Sequence, residues 1–455
     1  MNASNDNIVA LATAPGIGAI GVIRISGPDA FEIVNRLFKG KDLLTQKSHT
    51  LHYGTIVKEK KIIDEVVLSL FKGPHSYTKE DVIEISCHGS HYILQRVMRL
   101  LIDEGARLAR PGEFTQRAFL NGRFDLAQAE AVADLIASEN ETAHQAAINQ
   151  MRGGFSLVIK NLRAELIHFA AMIELELDFS EEDVEFVSRA ALTQLITDLQ
   201  TAIEGLIESF SLGNVIKNGV PTVIAGKPNA GKSTLLNALL NEEKAIVSDI
   251  PGTTRDFIED EMVIDGVPFR FIDTAGLRTA TDQIEAMGIE RTHSKMKEAS
   301  LVLYLIDLAS DTIKAYHKQI QDLEKTGVPF LIVGNKTDQA QETLKNIVAS
   351  DIRSVLITAS TKDNLVGLKT KLLEAINLDR FKSSNTIVTN ARHYESLVNT
   401  KMALGQVIAG IDGQVTSDFL AMDIREALYA LGEITGEITS EDLLDHIFSK
   451  FCIGK

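Results

Sequence analysis

The chain has 455 residues, a formal net charge of −16, 45% apolar and 24% charged residues, an ordinary globular composition with length for two to four domains. No apolar run approaches the ~20 residues of a membrane span, and residues 1–6 are polar with no hydrophobic signal segment, so a cytoplasmic chain is expected. Two cysteines, Cys87 and Cys452, cannot build a disulfide framework, and the acidic balance argues against a protein that grips nucleic acid through its whole surface.

Residues 1–123 carry short β-like runs at 7–12, 21–25, 66–71 and 82–86, punctuated by Gly, Pro and Ser, with a helix at 29–37. This predicts an α+β domain. Gly16-Ile-Gly-Ala-Ile-Gly21 matches GxGxxG, but Val22-Ile-Arg-Ile25 then reads as a strand. A dinucleotide turn needs a helix N-terminus there, which argues against a dehydrogenase. The densest basic stretch holds Arg96, Arg99, Arg107, Arg110, Arg117 and Arg123. It reads equally well as a nucleic-acid patch or as a solvated face.

Residues 124–215 read as helical. Ala127, Ala131, Ala133, Leu135 and Ile136 begin a long Ala-rich helix, and Leu162, Leu166, Phe169 and Ile173 recur at helical spacing in the next. An acidic corner at 178–185 precedes another helix near Ala190. From 216 to 378 short apolar strands alternate with helices, the pattern of a parallel α/β sheet. Residues 379–455 return to helix. Neither helical stretch has an evident core of its own. The expected fold is therefore multidomain α/β plus α: one helical domain interrupted by an inserted α/β domain.

In that α/β region a short strand at 223–225 leads into Gly226-Lys-Pro-Asn229-Ala230-Gly231-Lys232-Ser233, and Thr234 opens a helix. This is GxxxxGKS in strand–loop–helix context. Its amides and the helix N-terminus can wrap phosphates. Lys232 would face the outer phosphates, and Ser233 would ligate Mg2+. Ser248, Asp249, Ile250, Pro251, Gly252, Thr253 and Thr254 follow. A threonine hydroxyl here can complete the Mg2+ shell only when a terminal phosphate is present. Asp273-Thr274-Ala275-Gly276 comes after a strand at 269–272; its carboxylate would polarise a Mg2+-bound water. Asn335-Lys336-Thr337-Asp338 follows a strand at 330–333. Asp338 can accept the paired NH donors of guanine, which adenine does not offer, so GTP is the expected substrate. Thr358, Ala359 and Ser360 would back the base. In order, these motifs resemble the translation-factor-like branch of small GTPases over residues 221–377.

Leu277 stands where Ras-like proteins place a water-positioning glutamine, and Leu cannot orient water. Glu285 lies on the following segment, but spacing alone does not separate a catalytic from a solvated glutamate. Asn229 could ligate a monovalent cation or merely brace its loop. Ser248, Ile250 and Thr253 could complete a K+ shell, placing positive charge where an arginine finger otherwise acts.

Further matches run from end to end: Gly16-Ile-Gly18; Arg24-Ile-Ser-Gly27; Glu80-Asp-Val-Ile-Glu84 with His88-Gly89; Arg110-Pro-Gly-Glu-Phe114; Arg117-Ala-Phe-Leu-Asn121; Asp125-Leu-Ala-Gln-Ala-Glu130; and Phe451-Cys-Ile-Gly-Lys455. With the nucleotide motifs, they make the chain resemble the bacterial tRNA modification GTPase family MnmE, also called TrmE. The resemblance implies domains at 1–123 (tetrahydrofolate-binding-like, dimerising), 124–215 (helical, first part), 216–378 (GTPase) and 379–455 (helical, second part). It implies that Arg24, Glu84, Arg123 and Lys455 contact a tetrahydrofolate derivative (5-formyl or 5,10-methylene). Many relatives carry lysine at the Arg123 position, so that contact keeps its charge but changes geometry. The resemblance also implies K+ on Asn229, Ser248, Ile250 and Thr253, Mg2+ on Ser233 and Thr254, and Glu285 as the catalytic glutamate. It implies a homodimer, a heterotetramer with FAD-dependent MnmG, and modification of the wobble uridine of tRNA, with no membrane partner. Cys452 reads as a nucleophile or as a buried tail cysteine. A ribosome-assembly GTPase is the rival; it would carry a basic RNA-binding appendage in place of the N-terminal motifs.

Overall fold

The computed structural model describes residues 6–178, 189–243, 260–272, 299–376, 387–413 and 415–455. The chain divides into two units: Met1–Ala137, Ala147–Thr201 and Glu395–Lys455 make one, Ser138–Ala146 and Ala202–Tyr394 the other.

The first unit opens with strands β1 (Asn7–Leu11) and β2 (Ile20–Ser26) and helix α1 (Ala30–Leu37). Strands β3 (Phe38–Lys39), β4 (Thr50–Lys58), β5 (Lys61–Phe71) and β6 (Val82–His88) follow, then helix α2 (His91–Asp103) and strand β7 (Ala106–Leu108). They form a seven-stranded sheet in the order β3-β4-β5-β6-β2-β1-β7. Pairing is antiparallel except for β1 against β7. Alternation decides the faces. Ile23 and Ile25 of β2, Leu68 and Leu70 of β5, and Ile83 and Ile85 of β6 enter one core with Ile33, Val34, Val97 and Leu101 of the two helices. Arg24 and Glu84 therefore lie on the opposite face. Strand β4 was not expected from the sequence, and its burial shows why: Leu51 and Tyr53 are exposed while His52 between them is buried. Leu51 and Tyr53 mark the outward face, and of the apolar residues of β4 Ile56 enters the core.

The helical region after residue 125 departs from expectation in one place. The long Ala-rich helix is two helices, Leu126–Ala137 and Glu141–Met151. Asn140 separates them by capping the second: its side-chain oxygen accepts from Ala143 N at 2.8 Å. Helix Gly154–Asp178 buries Leu162, Leu166, Phe169 and Ile173, as their spacing predicts, and packs on helix Ser417–Thr435. The basic stretch is not one exposed patch. Arg117, 4% exposed, pairs with Asp6, Glu80 and Glu113. Arg107 pairs with Asp6 and Glu113, and Arg99 with Asp103.

The second unit contains β8 (Val220–Gly226), β9 (Asp260–Ile264), β10 (Val267–Phe271), β11 (Leu301–Asp307), β12 (Phe330–Asn335) and β13 (Ser354–Leu356). The six-stranded sheet runs β13-β12-β11-β8-β10-β9, all parallel apart from β9, which is antiparallel to β10. Strand β11 shows why its sequence is continuously apolar: Leu301, Leu303 and Leu305 enter one core, Val302 and Ile306 the other. Strand order reverses at β8, flanked by β10 and β11. That is the position where open α/β sheets hold ligands at their carboxyl edge. Among the described residues no helix is long and apolar enough to cross a membrane.

Candidate nucleotide site and the Arg24 cavity

At the carboxyl end of β8 the chain turns through Gly226 (φ 146°), Asn229 (φ 61°) and Gly231 (φ 98°) into helix Lys232–Glu243. Gly226 lies so close to β11 that a Cβ there would meet Leu305 O at 2.7 Å. Lys232 Nζ donates to Gly226 O and Lys227 O, both at 2.9 Å. Its ammonium thus spans the mouth of the loop, over the helix N-terminus where phosphate oxygens would bind.

Asn335 joins this loop to two others. It is 3% exposed. Its Nδ2 donates to Ala230 O at 2.8 Å, and its Oδ1 accepts from Ala359 N at 3.0 Å. Thr337 and Thr358 share a hydroxyl–hydroxyl bond of 2.5 Å, and Thr337 N donates to Ile357 O at 3.3 Å. Asp338 lies exposed in the short helical turn Thr337–Gln339. Its carboxylate is open to a base edge, apart from a 3.2 Å bond from Gln339 Nε2. Ala359 is buried and Ser360 exposed.

The structure therefore brings together Asn229, Ala230, Gly231, Lys232, Ser233, Thr234, Asn335, Lys336, Thr337, Asp338, Thr358, Ala359 and Ser360. Ser248, Asp249, Ile250, Pro251, Gly252, Thr253, Thr254, Asp273, Thr274, Ala275, Gly276 and Glu285 lie outside the described residues. Asp307 was not singled out in the sequence. Its carboxyl accepts from Lys336 Nζ at 2.7 Å and Ala309 N at 3.0 Å. Burial alone would raise its pKa, but those donors and the Lys336 charge outweigh it and hold the group below its ordinary value. A lone aspartate closing an apolar strand was the available signal.

In the first unit, Arg24 and Glu84 are register partners across β2 and β6. Arg24 Nε and Nη2 donate to Glu84 Oε1 at 2.9 and 2.7 Å. Both line a cavity of about 520 Å³ with His49, Phe71, Tyr77 and Arg123. Arg24 and Arg123 each lie over the Tyr77 ring, at 5.2 and 5.1 Å. The sequence reading missed Tyr77, because an aromatic in a turn carries no motif. Lys455 reaches this neighbourhood through the tail. Arg24 Nη1 donates to Gly454 O at 3.2 Å, and Phe114 N to Lys455 O at 3.2 Å. Burial and the nearby Arg24 charge lower the Lys455 pKa. Gly454 is required here: at φ 97°, a Cβ would meet Leu11 O at 2.4 Å. Cys452 is exposed, so it is not the buried tail cysteine considered above.

The cavity has the size of a small-molecule site. Cationic Arg24, Arg123 and Lys79 outnumber Glu84 along its wall, which suits an anionic ligand. Oxygen Oε2 of Glu84 receives no hydrogen bond among the described residues and can accept from a ligand's NH groups. These residues could hold an anionic ligand that also carries NH donors. Ser233 lies in the first turn of helix Lys232–Glu243, at the end where phosphate oxygens would bind.

The family model described as GTP-binding protein TrmE N-terminus matches residues 7–123, and the one described as MnmE helical domain matches residues 126–452. The tRNA modification GTPase MnmE of Cytophaga hutchinsonii is 59% identical over 99% of this chain and 98% of its own length. That of Christiangramia forsetii is 51% identical over 99% of each. Among solved structures, the FeoB G-domain from Methanococcus jannaschii covers 35% of this chain and 97% of its own at 23% identity, with a TM-score of 0.25.

Proposed function

Because the chain belongs to the tRNA modification GTPase MnmE family, we propose that it hydrolyses GTP in a potassium-stimulated reaction that serves tRNA modification. With a FAD-dependent flavoprotein partner, MnmG, it acts in adding a carboxymethylaminomethyl or aminomethyl group to carbon 5 of the wobble uridine of certain tRNAs. The observation that carries the nucleotide reading is Asn335, whose amide fastens the phosphate loop at Ala230 to the base-backing loop at Ala359. One side chain thereby sets the spacing between a phosphate site and a guanine site.

In this reading Asp338 selects guanine, and Lys232 neutralises the outer phosphates. Mg2+ on Ser233 and Thr254 would neutralise charge that develops on the phosphates. K+ on Asn229, Ser248, Ile250 and Thr253 would supply the cation that an arginine finger supplies elsewhere. Glu285 would orient the attacking water. Arg24, Glu84, Arg123 and Lys455 would hold the reduced folate. Residues 1–123 form the folate-binding, dimerising domain. Residues 216–378 form the GTPase domain, inserted between helical parts 124–215 and 379–455, and the protein works in the cytoplasm as a homodimer.

The test is GTP turnover by the purified protein in K+ against Na+ at equal ionic strength. Strong stimulation by K+ is expected. Equal slow turnover in both salts would keep the GTPase and overturn the potassium mechanism, favouring a partner-activated assembly switch.

A further inference from the structure

Strand β11 lies between β8 and β12 in the sheet. Its carboxyl end therefore stands between the phosphate loop, which leaves β8, and the base-recognition loop, which leaves β12. Two carboxylates occupy that place. Asp307, 6% exposed, accepts Lys336 Nζ from the base-recognition loop at 2.7 Å. Asp311, 3% exposed, pairs one oxygen with the Lys227 ammonium of the phosphate loop and accepts Asp307 N on the other at 3.0 Å. Asp311 N in turn donates to Asp307 O at 2.8 Å. An unbroken line of charge-assisted bonds runs from Lys227 through Asp311 and Asp307 to Lys336.

We infer that Asp311 is a positioning residue for nucleotide binding: it anchors the phosphate loop to β11 through Lys227, and so fixes that loop relative to the base loop tied by Lys336. The inference rests on reading these two loops as a GTP site. The physical reason lies in the ligand. A nucleoside triphosphate must meet both loops at once, so every degree of freedom between them is lost on binding. Holding both loops on adjacent carboxylates of one buried strand end removes that freedom in advance. The buried environment of Asp311 makes its pair stronger than a surface ion pair. The Lys227 side chain is 44% exposed. Losing it removes little packing, so its effect should appear in nucleotide affinity rather than in folding.

The test titrates the full-length protein with fluorescently labelled GDP and follows GTP turnover. Lys227→Gln and Asp311→Asn are each expected to weaken GDP about tenfold, through faster release, and to raise KM for GTP more than they lower kcat. The double variant should be no weaker than the worse single one, because both break the same pair. Lys227→Arg should restore most of the affinity. Wild-type affinity in both single variants, additive losses in the double variant, or an arginine variant as weak as the glutamine one would each overturn the inference. If Asp311→Asn fails to fold, the contrast of Lys227→Gln with Lys227→Arg still decides it. An unmodified chain that binds no labelled GDP would overturn the GTP reading itself, and this inference with it.

Discussion

Asn335 occupies the space that a side chain on Gly231 would need: a Cβ on Gly231 would lie 2.3 Å from Asn335 Nδ2. The glycine and the asparagine are 104 residues apart in sequence, yet each is explained by the other. Gly231 also sits at φ 98°, where an L side chain is strained. Gly231→Ala is therefore expected to displace the Asn335 amide and weaken GTP roughly 100-fold, with a much smaller loss of thermal stability. Asn335→Ala removes two buried hydrogen bonds and should destabilise the second unit by ~2 kcal/mol. Calorimetric titration with GTP beside thermal unfolding separates the two effects.

Asp338 lies exposed on the turn that follows Asn335, with its carboxylate open to guanine's paired donors. Asp338→Asn replaces an acceptor by a donor. It should lose GTP by two orders of magnitude or more and gain xanthosine triphosphate, whose C2 oxygen accepts where guanine donates. A competition binding assay with both nucleotides reads this; unchanged preference for GTP would remove Asp338 from base selection.

Glu285→Ala should keep GTP affinity within a few-fold while lowering turnover by about 10²-fold or more. Asn229→Ala should retain the basal rate measured in Na+ and lose the stimulation by K+. Turnover near wild type in the first variant, or full K+ stimulation in the second, would contradict the proposed roles.

Gly454 lets the tail pass over Leu11 closely enough for its carbonyl to accept from Arg24. Gly454→Ala should push the tail away, leave Lys455 displaced, and weaken 5-formyltetrahydrofolate by roughly tenfold. Glu84→Gln keeps the shape of the wall but loses the charge, and should weaken the same ligand at least as much. Fluorescence titration with the folate checks both.

Glu113 is 3% exposed and meets Arg107 at 2.5 Å and Arg117 at 3.2 Å. Burial pushes its pKa up, but the Arg107 bonds, the Arg110 amide and the two guanidinium charges outweigh that and hold it below the ordinary 4.5. A depressed carboxyl contributes stability that is complete above its unfolded value and lost as pH falls through the folded one. Glu113→Gln should thus destabilise the first unit by ~3 kcal/mol at neutral pH. The gap between the two proteins should narrow as pH drops below about 4.5. Urea unfolding at pH 7 and pH 3.5 tests the sign; a gap that widens in acid would exclude this account.

Much of the nucleotide site was legible in the residues because its chemistry is local. Gly226 to Ser233 must be contiguous to wrap phosphate, and Asn335 to Asp338 to present one base edge, so each left a short motif on a predicted strand end. The Ala-rich helix was misjudged at Asn140, whose capping bond opposes a run of good helix formers. Strand β4 escaped notice because Leu51 and Tyr53 face outward, so its alternation pointed the wrong way.

What the sequence determined by itself was the succession of α+β, helical, α/β and helical regions and the identity of the motif residues. These follow from periodicity and from chemistry confined to a few consecutive positions. Only the tertiary structure decided which distant groups meet: Arg24 with Glu84 and Gly454, Asn335 with Ala230 and Ala359, Lys227 with Asp311, Arg107 with Asp6, and Arg117 with Asp6 and Glu80. No local pattern encodes such pairings. Strand order and register set them, and those depend on how whole faces of the chain are buried together.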